Sequence, residues 1–248
     1  MDRHLRNELI ESLAAADSVA TLHEVACRIC ESCGLDHFLY ATSVPVSFVA
    51  PKIIFISGYP QSWREHYNAQ GYAAIDPTVQ HSLRAVTPLP WTEIAPLEAA
   101  DPRVRAMMAE SRDFGLVHGV TLPLHGSRGE LAMLNFASAD PHPRQRETLE
   151  EYLPALHLLT AHFHEHVRRV LDIITLPTAG GKMTTRESEC LLWAAEGKTS
   201  WETSQILGIS ERTIIFHLQN AQEKLSASSR QHAVARAIAT GLITPQIN

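Results

Sequence analysis

The sequence predicts an α+β protein in two parts: an antiparallel sheet covered by helices, then a small all-helical domain. Three observations predict it. Residues 1–174 mix helical and strand-like hydrophobic periods, without the regular alternation that builds a doubly wound parallel sheet. Thr175-Leu176-Pro177-Thr178-Ala179-Gly180-Gly181-Lys182 then breaks two helical patterns with Pro and paired Gly, which places a linker at 175–183. Residues 184–248 carry helical periods only, and within them 199–225 reads as a helix-turn-helix.

The elements follow from local signals. In the first part, helices are expected at roughly 4–16, 20–33, 60–70, 101–113 and 143–171. Strands are expected at His37–Thr42, Ile53–Ile56, Val117–Leu124 and Glu130–Ala137, with a Pro-bounded piece near Val86–Trp91. The second part should hold four short helices. The first opens on a capping box, Thr184 with Glu187, and stops at Gly197. The second opens on another, Thr199 with Glu202, and ends near Leu207, where Gly208 can take the left-handed conformation of a tight turn. Ser210 is the N-cap of the third. The fourth runs from about Ser229 to Thr240, with Ala233, Val234, Ala237 and Ile238 on one face and Gly241 as terminator.

In the third of these helices Ile214, Leu218, Ala221 and Leu225 form one apolar stripe. At about 100° per residue, Arg212, Phe216, Gln219 and Glu223 point away from it, with Ile215 and Asn220 at the flanks. A solvated helix face would carry Lys and Glu there. A helix in a DNA major groove has a use for this mix, since Gln and Asn pair with adenine and apolar side chains meet the thymine methyl. The competing explanation is a helical hairpin whose Phe216 packs on another domain.

The chain has 248 residues, 45% apolar, with no run near the ~18 apolar residues of a membrane span. Met1-Asp2-Arg3-His4 lacks the apolar core of a signal peptide, so a cytoplasmic protein without a membrane partner is expected. Net charge is −6, unusual for a nucleic-acid binder. Residues 180–248 hold seven Lys/Arg against six Glu and net +1, which leaves −7 on the remainder. Phosphate contact would rely on the local placement of Lys198, Arg212, Lys224 and Arg230, and on a dimer that doubles the contacts.

Between Tyr59 and Trp91 the chain collects Tyr59, Trp63, Tyr67, Tyr72, Asp76-Pro77 and Trp91. Trp63 and Tyr67, four residues apart, share a helix face. Trp and Tyr donate hydrogen bonds and Asp76 accepts one. The group suits a small, mostly apolar ligand with an amide and two carbonyls. It equally suits core aromatics with Asp76 as a turn or cap residue. Cys27, Cys30 and Cys33 lack a fourth ligand nearby and read as buried small residues of a helix. His162, His164 and His166 read as a helix face, with a subunit contact as one use. No phosphate loop, nucleophile elbow or paired-carboxylate signature is present.

At these residues the chain resembles the LuxR-type quorum-sensing transcription factors over nearly its whole length. Trp63, Tyr67, Asp76-Pro77, Trp91 and Gly119 match the spaced pattern of the family's ligand domain. Thr184, Arg186, Glu187, Leu191, Gly197, Lys198, Ile206, Leu207, Ser210, Thr213, Ile214 and His217 match its DNA domain. The resemblance implies an α/β/α sandwich around a five-stranded antiparallel sheet, PAS/GAF-like, in front of the helix-turn-helix. It implies no cofactor. The effector would be an N-acyl-homoserine lactone, and the partners a second copy of the chain, inverted-repeat promoter DNA and RNA polymerase.

Carried over by position, Trp63 would donate to the lactone carbonyl, Asp76 accept the amide N–H and Tyr59 donate to the acyl carbonyl. Tyr67 and Trp91 would wall the pocket, and Gly119 would permit close backbone approach. Ile215, Phe216 and Gln219 would reach base edges, with Thr213, Asn220 and Lys224 nearer the backbone. Asn135 stands where the family commonly has Ser or Thr. With Leu131 and Met133 on its strand face, it would make that wall polar at one end and apolar along the rest, which bears on chain length and on a 3-oxo group. A lactone hydrolase would need an Asp-His pair beside the three histidines, and a response regulator an N-terminal acidic cluster; the sequence has neither.

Overall fold

A computed structural model describes residues 1–44, 51–126, 129–140, 142–171 and 182–244. The expected linker at 175–183 lies almost wholly outside them. Two compact units result: one contains the sheet, and the other the helices from 182 onward.

The first unit opens with α1 (Arg3–Ala15) and α2 (Val19–Ser32). Strands β1 (His37–Val44) and β2 (Lys52–Ser57) follow. Then come α3 (Gln61–Gln70), a 3-10 turn at Tyr72–Ala74 and α4 (Pro77–Ser82). Strand β3 (Leu89–Pro90) leads through a second 3-10 turn into α5 (Ala95–Ala100) and α6 (Pro102–Asp113). Strands β4 (His118–His125) and β5 (Leu131–Ser138) and the long α7 (Pro143–Val170) close the unit.

The five strands form one sheet in the order β2-β1-β5-β4-β3. Its register sets Leu39 opposite Asn135 and Thr121 opposite Asn135 on the other side. Strand alternation sends Phe38, Tyr40, Leu122, Leu134 and Phe136 to a face buried under α1, α2 and α7. Leu39, Thr121, Met133 and Asn135 face the side covered by the elements between Tyr59 and Leu116. The antiparallel sheet covered by helices expected from the periods is the fold found, and it has the α/β/α arrangement that the resemblance implies.

Two expectations need correction. The piece near Val86–Trp91 is paired only at Leu89–Pro90, because Pro88 and Pro90 have no N–H for the ladder, and Trp91 opens a 3-10 turn. Ala95–Ala100 and Pro77–Ser82 are helices too short to show a period. His164 belongs to the core: it is buried, and its Nδ1 lies 2.7 Å from the Tyr40 hydroxyl. Cys30 and Cys33 are buried small side chains, and burial pushes the thiols up from their ordinary pKa.

The second unit is four helices: α8 (Thr185–Ala195), α9 (Ser200–Leu207), α10 (Glu211–Lys224) and α11 (Arg230–Ala239). Both capping boxes form, and the Thr213 N–H donates to the Ser210 hydroxyl at the N-cap of α10. Gly208 holds φ at 68°, which makes the tight turn between α9 and α10. Ile214, Leu218, Ala221 and Leu225 are the buried stripe, packed with Cys190, Leu191, Ala233 and Ala237. Ile238, expected on that core face, is 55% exposed. The chain turns back at Gly241, and Ile243 fills the core instead, its N–H bonding the Ala237 carbonyl.

Candidate functional site

The sheet face carrying Met133 and Asn135, together with α3, α4 and α6, encloses a cavity of about 350 Å³. That lies within the range of small-molecule sites. Its wall is apolar: Leu39, Ala41, Met107, Met108, Leu131 and Met133 all contribute. Into it the local folds bring the aromatic residues singled out in the sequence.

Pro60 starts α3, which puts Trp63 and Tyr67 on the inner face one turn apart. Trp63 is buried and wedged among Tyr67, Tyr72 and Phe114, with ring centroids 5.4–6.2 Å away. Trp91 is a wall rather than a donor, because its indole N–H goes to the Thr121 hydroxyl at 3.0 Å. Leu131, Met133 and Asn135 line the cavity together, as alternation along β5 requires.

Asp76 is at once the N-cap of α4 and a buried group on the cavity wall. The cap and ligand readings of this residue are therefore compatible. The Thr78 N–H and Thr78 hydroxyl donate to Oδ1 at 2.8 and 2.7 Å, and the Tyr67 hydroxyl donates to Oδ2 at 2.8 Å. The Val79 backbone N–H adds to these bonds, so the carboxylate is held by Thr78, Val79 and Tyr67. Burial pushes the Asp76 carboxyl above the usual aspartate range, while the bonds from Thr78 and Tyr67 oppose that rise. Burial, and then the Asp76 charge, push the Tyr59 hydroxyl well above its ordinary pKa, so it stays a neutral donor. Two buried atoms here lack a hydrogen-bond partner, the Tyr59 hydroxyl and Asn135 Oδ1. A buried polar atom left unpaired costs about 1–3 kcal/mol, which makes these two atoms informative.

Gly119 departs from its expected place. It does not line the cavity. A Cβ there would sit 2.7 Å from two ring atoms of Trp91 and 2.8 Å from the Phe136 carbonyl, so Gly119 is the seat of the indole. Thr78, Thr121 and Met107 escaped the sequence reading; Thr78 bonds the nearby Asp76, whereas Thr121 meets Trp91 only through the fold.

On the second unit, Arg212, Ile215, Phe216 and Gln219 are exposed on α10, with Ile215 at 42% and Phe216 at 57%. Within the second unit this face lies outside the core. Thr213 is half-buried and its hydroxyl lies 2.7 Å from that of Ser210; Asn220 is half-buried too. Lys198 is a half-buried cation, 3.9 Å from Glu202. Lys224 is the correction. Its Nζ donates to both Glu187 oxygens, at 2.9 and 2.7 Å, and to the Lys182 carbonyl at 3.1 Å. Arg230 likewise donates to the Lys198 carbonyl. Both cations hold helix ends together instead of facing outward.

Comparison with known proteins gives this arrangement its context. Residues 18–167 match the family described as "Autoinducer binding domain". Residues 182–237 match "Bacterial regulatory proteins, luxR family". The chain belongs to the LuxR family. It is a LuxR-type autoinducer-binding transcriptional regulator, and the family is one of regulators rather than enzymes.

The chain is similar to the transcriptional activator protein AnoR of Acinetobacter nosocomialis, at 31% identity over 96% of this chain and 98% of the relative. It is also similar to the quorum sensing-dependent regulator RpaR of Rhodopseudomonas palustris, at 33% identity over 95% and 93%. Among solved structures, Escherichia coli SdiA aligns with a TM-score of 0.76 and 27% identity, over 97% of this chain and 98% of that one. SdiA in complex with octanoyl-rac-glycerol aligns with the same score and identity, over 98% and 96%.

Proposed function

We propose that this LuxR-family chain binds an N-acyl-homoserine lactone in the cavity and, as a dimer, binds inverted-repeat promoter DNA through α10. The observation that carries the ligand reading is an unpartnered Tyr59 hydroxyl beside a buried carboxylate, on an otherwise apolar wall. An acylated amide supplies what these atoms need. Its N–H donates to Asp76, its acyl carbonyl accepts from Tyr59, and its chain covers Leu39, Met107 and Met133. Trp63 donates to the lactone carbonyl, while Tyr67 and Trp91 wall the pocket. Gly119 contributes by seating Trp91.

On the DNA side, Ile215, Phe216 and Gln219 meet base edges. Lys198, Arg212, Thr213 and Asn220 face the phosphates, and Lys224 acts from behind by fixing α8 to α10. The near-neutral charge of this unit makes two copies necessary for firm binding. RNA polymerase is the proposed partner of the bound dimer.

The test is fluorescence anisotropy of inverted-repeat DNA with the purified chain, with and without an acyl-homoserine lactone. Octanoyl-glycerol, which has no amide N–H, is the comparison ligand. Lactone-dependent binding is expected. DNA binding of equal strength with no acyl ligand would overturn the reading.

A further inference from the structure

We infer that the cavity selects acyl chains carrying a hydroxyl just beyond the carbonyl, a 3-hydroxyacyl group, and that Asn135 reads it. This preference rests on the lactone reading of the same cavity. Asn135 lies in the middle of β5, paired with Leu39 on one side and Thr121 on the other, on the face that lines the cavity. It is 3% exposed, and its Oδ1 has no hydrogen-bond partner.

Its neighbours do not relieve it. Thr121 accepts the Trp91 indole N–H. The Asn135 amide is near enough to the Tyr59 hydroxyl to act on it, but Oδ1 of Asn135 still has no donor. When Tyr59 donates its one proton to the acyl carbonyl, Oδ1 of Asn135 still needs a donor. The nearest part of such a ligand is the chain a carbon or two past that carbonyl.

The choice of substituent follows from donor and acceptor counts. A hydroxyl both donates and accepts, so it satisfies either end of the amide. A keto oxygen only accepts, and leaves Oδ1 unpaired. A methylene leaves Oδ1 unpaired in an apolar wall.

The experiment is a competition. The full chain is expressed with an equimolar mixture of N-decanoyl-, N-3-oxodecanoyl- and N-3-hydroxydecanoyl-homoserine lactone, purified, and its organic extract quantified by mass spectrometry. The hydroxylated form should be retained about tenfold over the unsubstituted one, the worth of one added hydrogen bond to a buried group. Equal or greater retention of the unsubstituted or 3-oxo form would overturn the inference. Retention of no lactone would overturn the receptor reading, and this inference with it. Asn135→Leu keeps the branched shape and removes the amide, and should retain lactones without preference for the hydroxyl. Should that variant fail to fold, Asn135→Ala, which also lacks a polar group, serves the same comparison. A preference that survives the substitution would take the role away from Asn135.

Discussion

Asp76 shows how one side chain serves structure and ligand together. As an N-cap it orders α4, and as a buried acceptor it faces the cavity. Asp76→Asn replaces one acceptor oxygen by a donor, opposite groups that already donate. We expect the lactone dose response of a reporter to weaken about 100-fold, the scale of a lost hydrogen bond to a charged group, while DNA binding by the second unit alone is unchanged. An unchanged dose response would remove Asp76 from the pocket's chemistry. Gly119→Ala tests the seat of Trp91. The added methyl meets ring and carbonyl atoms below 3.0 Å, so the indole must move toward the cavity. The expected cost is about 1–3 kcal/mol in urea unfolding, with weaker lactone retention. Asp76, Trp63 and Tyr67 could be singled out in the sequence because their types and spacing are unusual together. Thr121 could not, because a threonine carries no signal until the fold supplies its partner.

At the scale of elements, the capped helices of the second unit were legible residue by residue, since caps and turns are local chemistry. The Glu187–Lys224 pair was not, because its members lie 37 positions apart. Burial acts to raise the Glu187 carboxyl, but the bonds from Lys224 and Thr184 outweigh it and hold it below the ordinary glutamate range. A depressed carboxyl contributes stability above its unfolded pKa and loses it as pH falls through the folded value. The second unit should therefore weaken on acidification below about pH 4.3, the ordinary glutamate value. Lys224→Met should lower its stability by about 1–3 kcal/mol at neutral pH and reduce that acid dependence, as read by circular dichroism during urea unfolding. A different result is expected from Gln219→Ala: anisotropy with promoter DNA should fall by about 1–3 kcal/mol while the melting curve stays in place. Loss of both together would make Gln219 a structural residue.

For the whole molecule, ligand binding and folding are linked quantities. A lactone that binds only the folded state stabilises it by about 2.7 kcal/mol at a hundredfold excess over Kd. In a unit of this size that should raise the melting temperature by roughly 5–10 °C, measurable by scanning fluorimetry. No shift at saturating lactone would count against a ligand enclosed in the core. The sequence by itself determined the fold class, the two-part organisation, the helix-turn-helix with its caps, and the residue types of the pocket. These rest on periodicity, turn chemistry and spacing, all of which act over a few residues. Only the tertiary structure decided that Trp91 spends its indole N–H on Thr121, that Gly119 seats a ring rather than a ligand, and that Lys224 and Ile238 exchange their expected surroundings. It also decided that Asn135 is left with an unpaired buried oxygen. Each of these depends on which distant residue arrives alongside, and on how many hydrogen bonds and how much volume that neighbour has already taken.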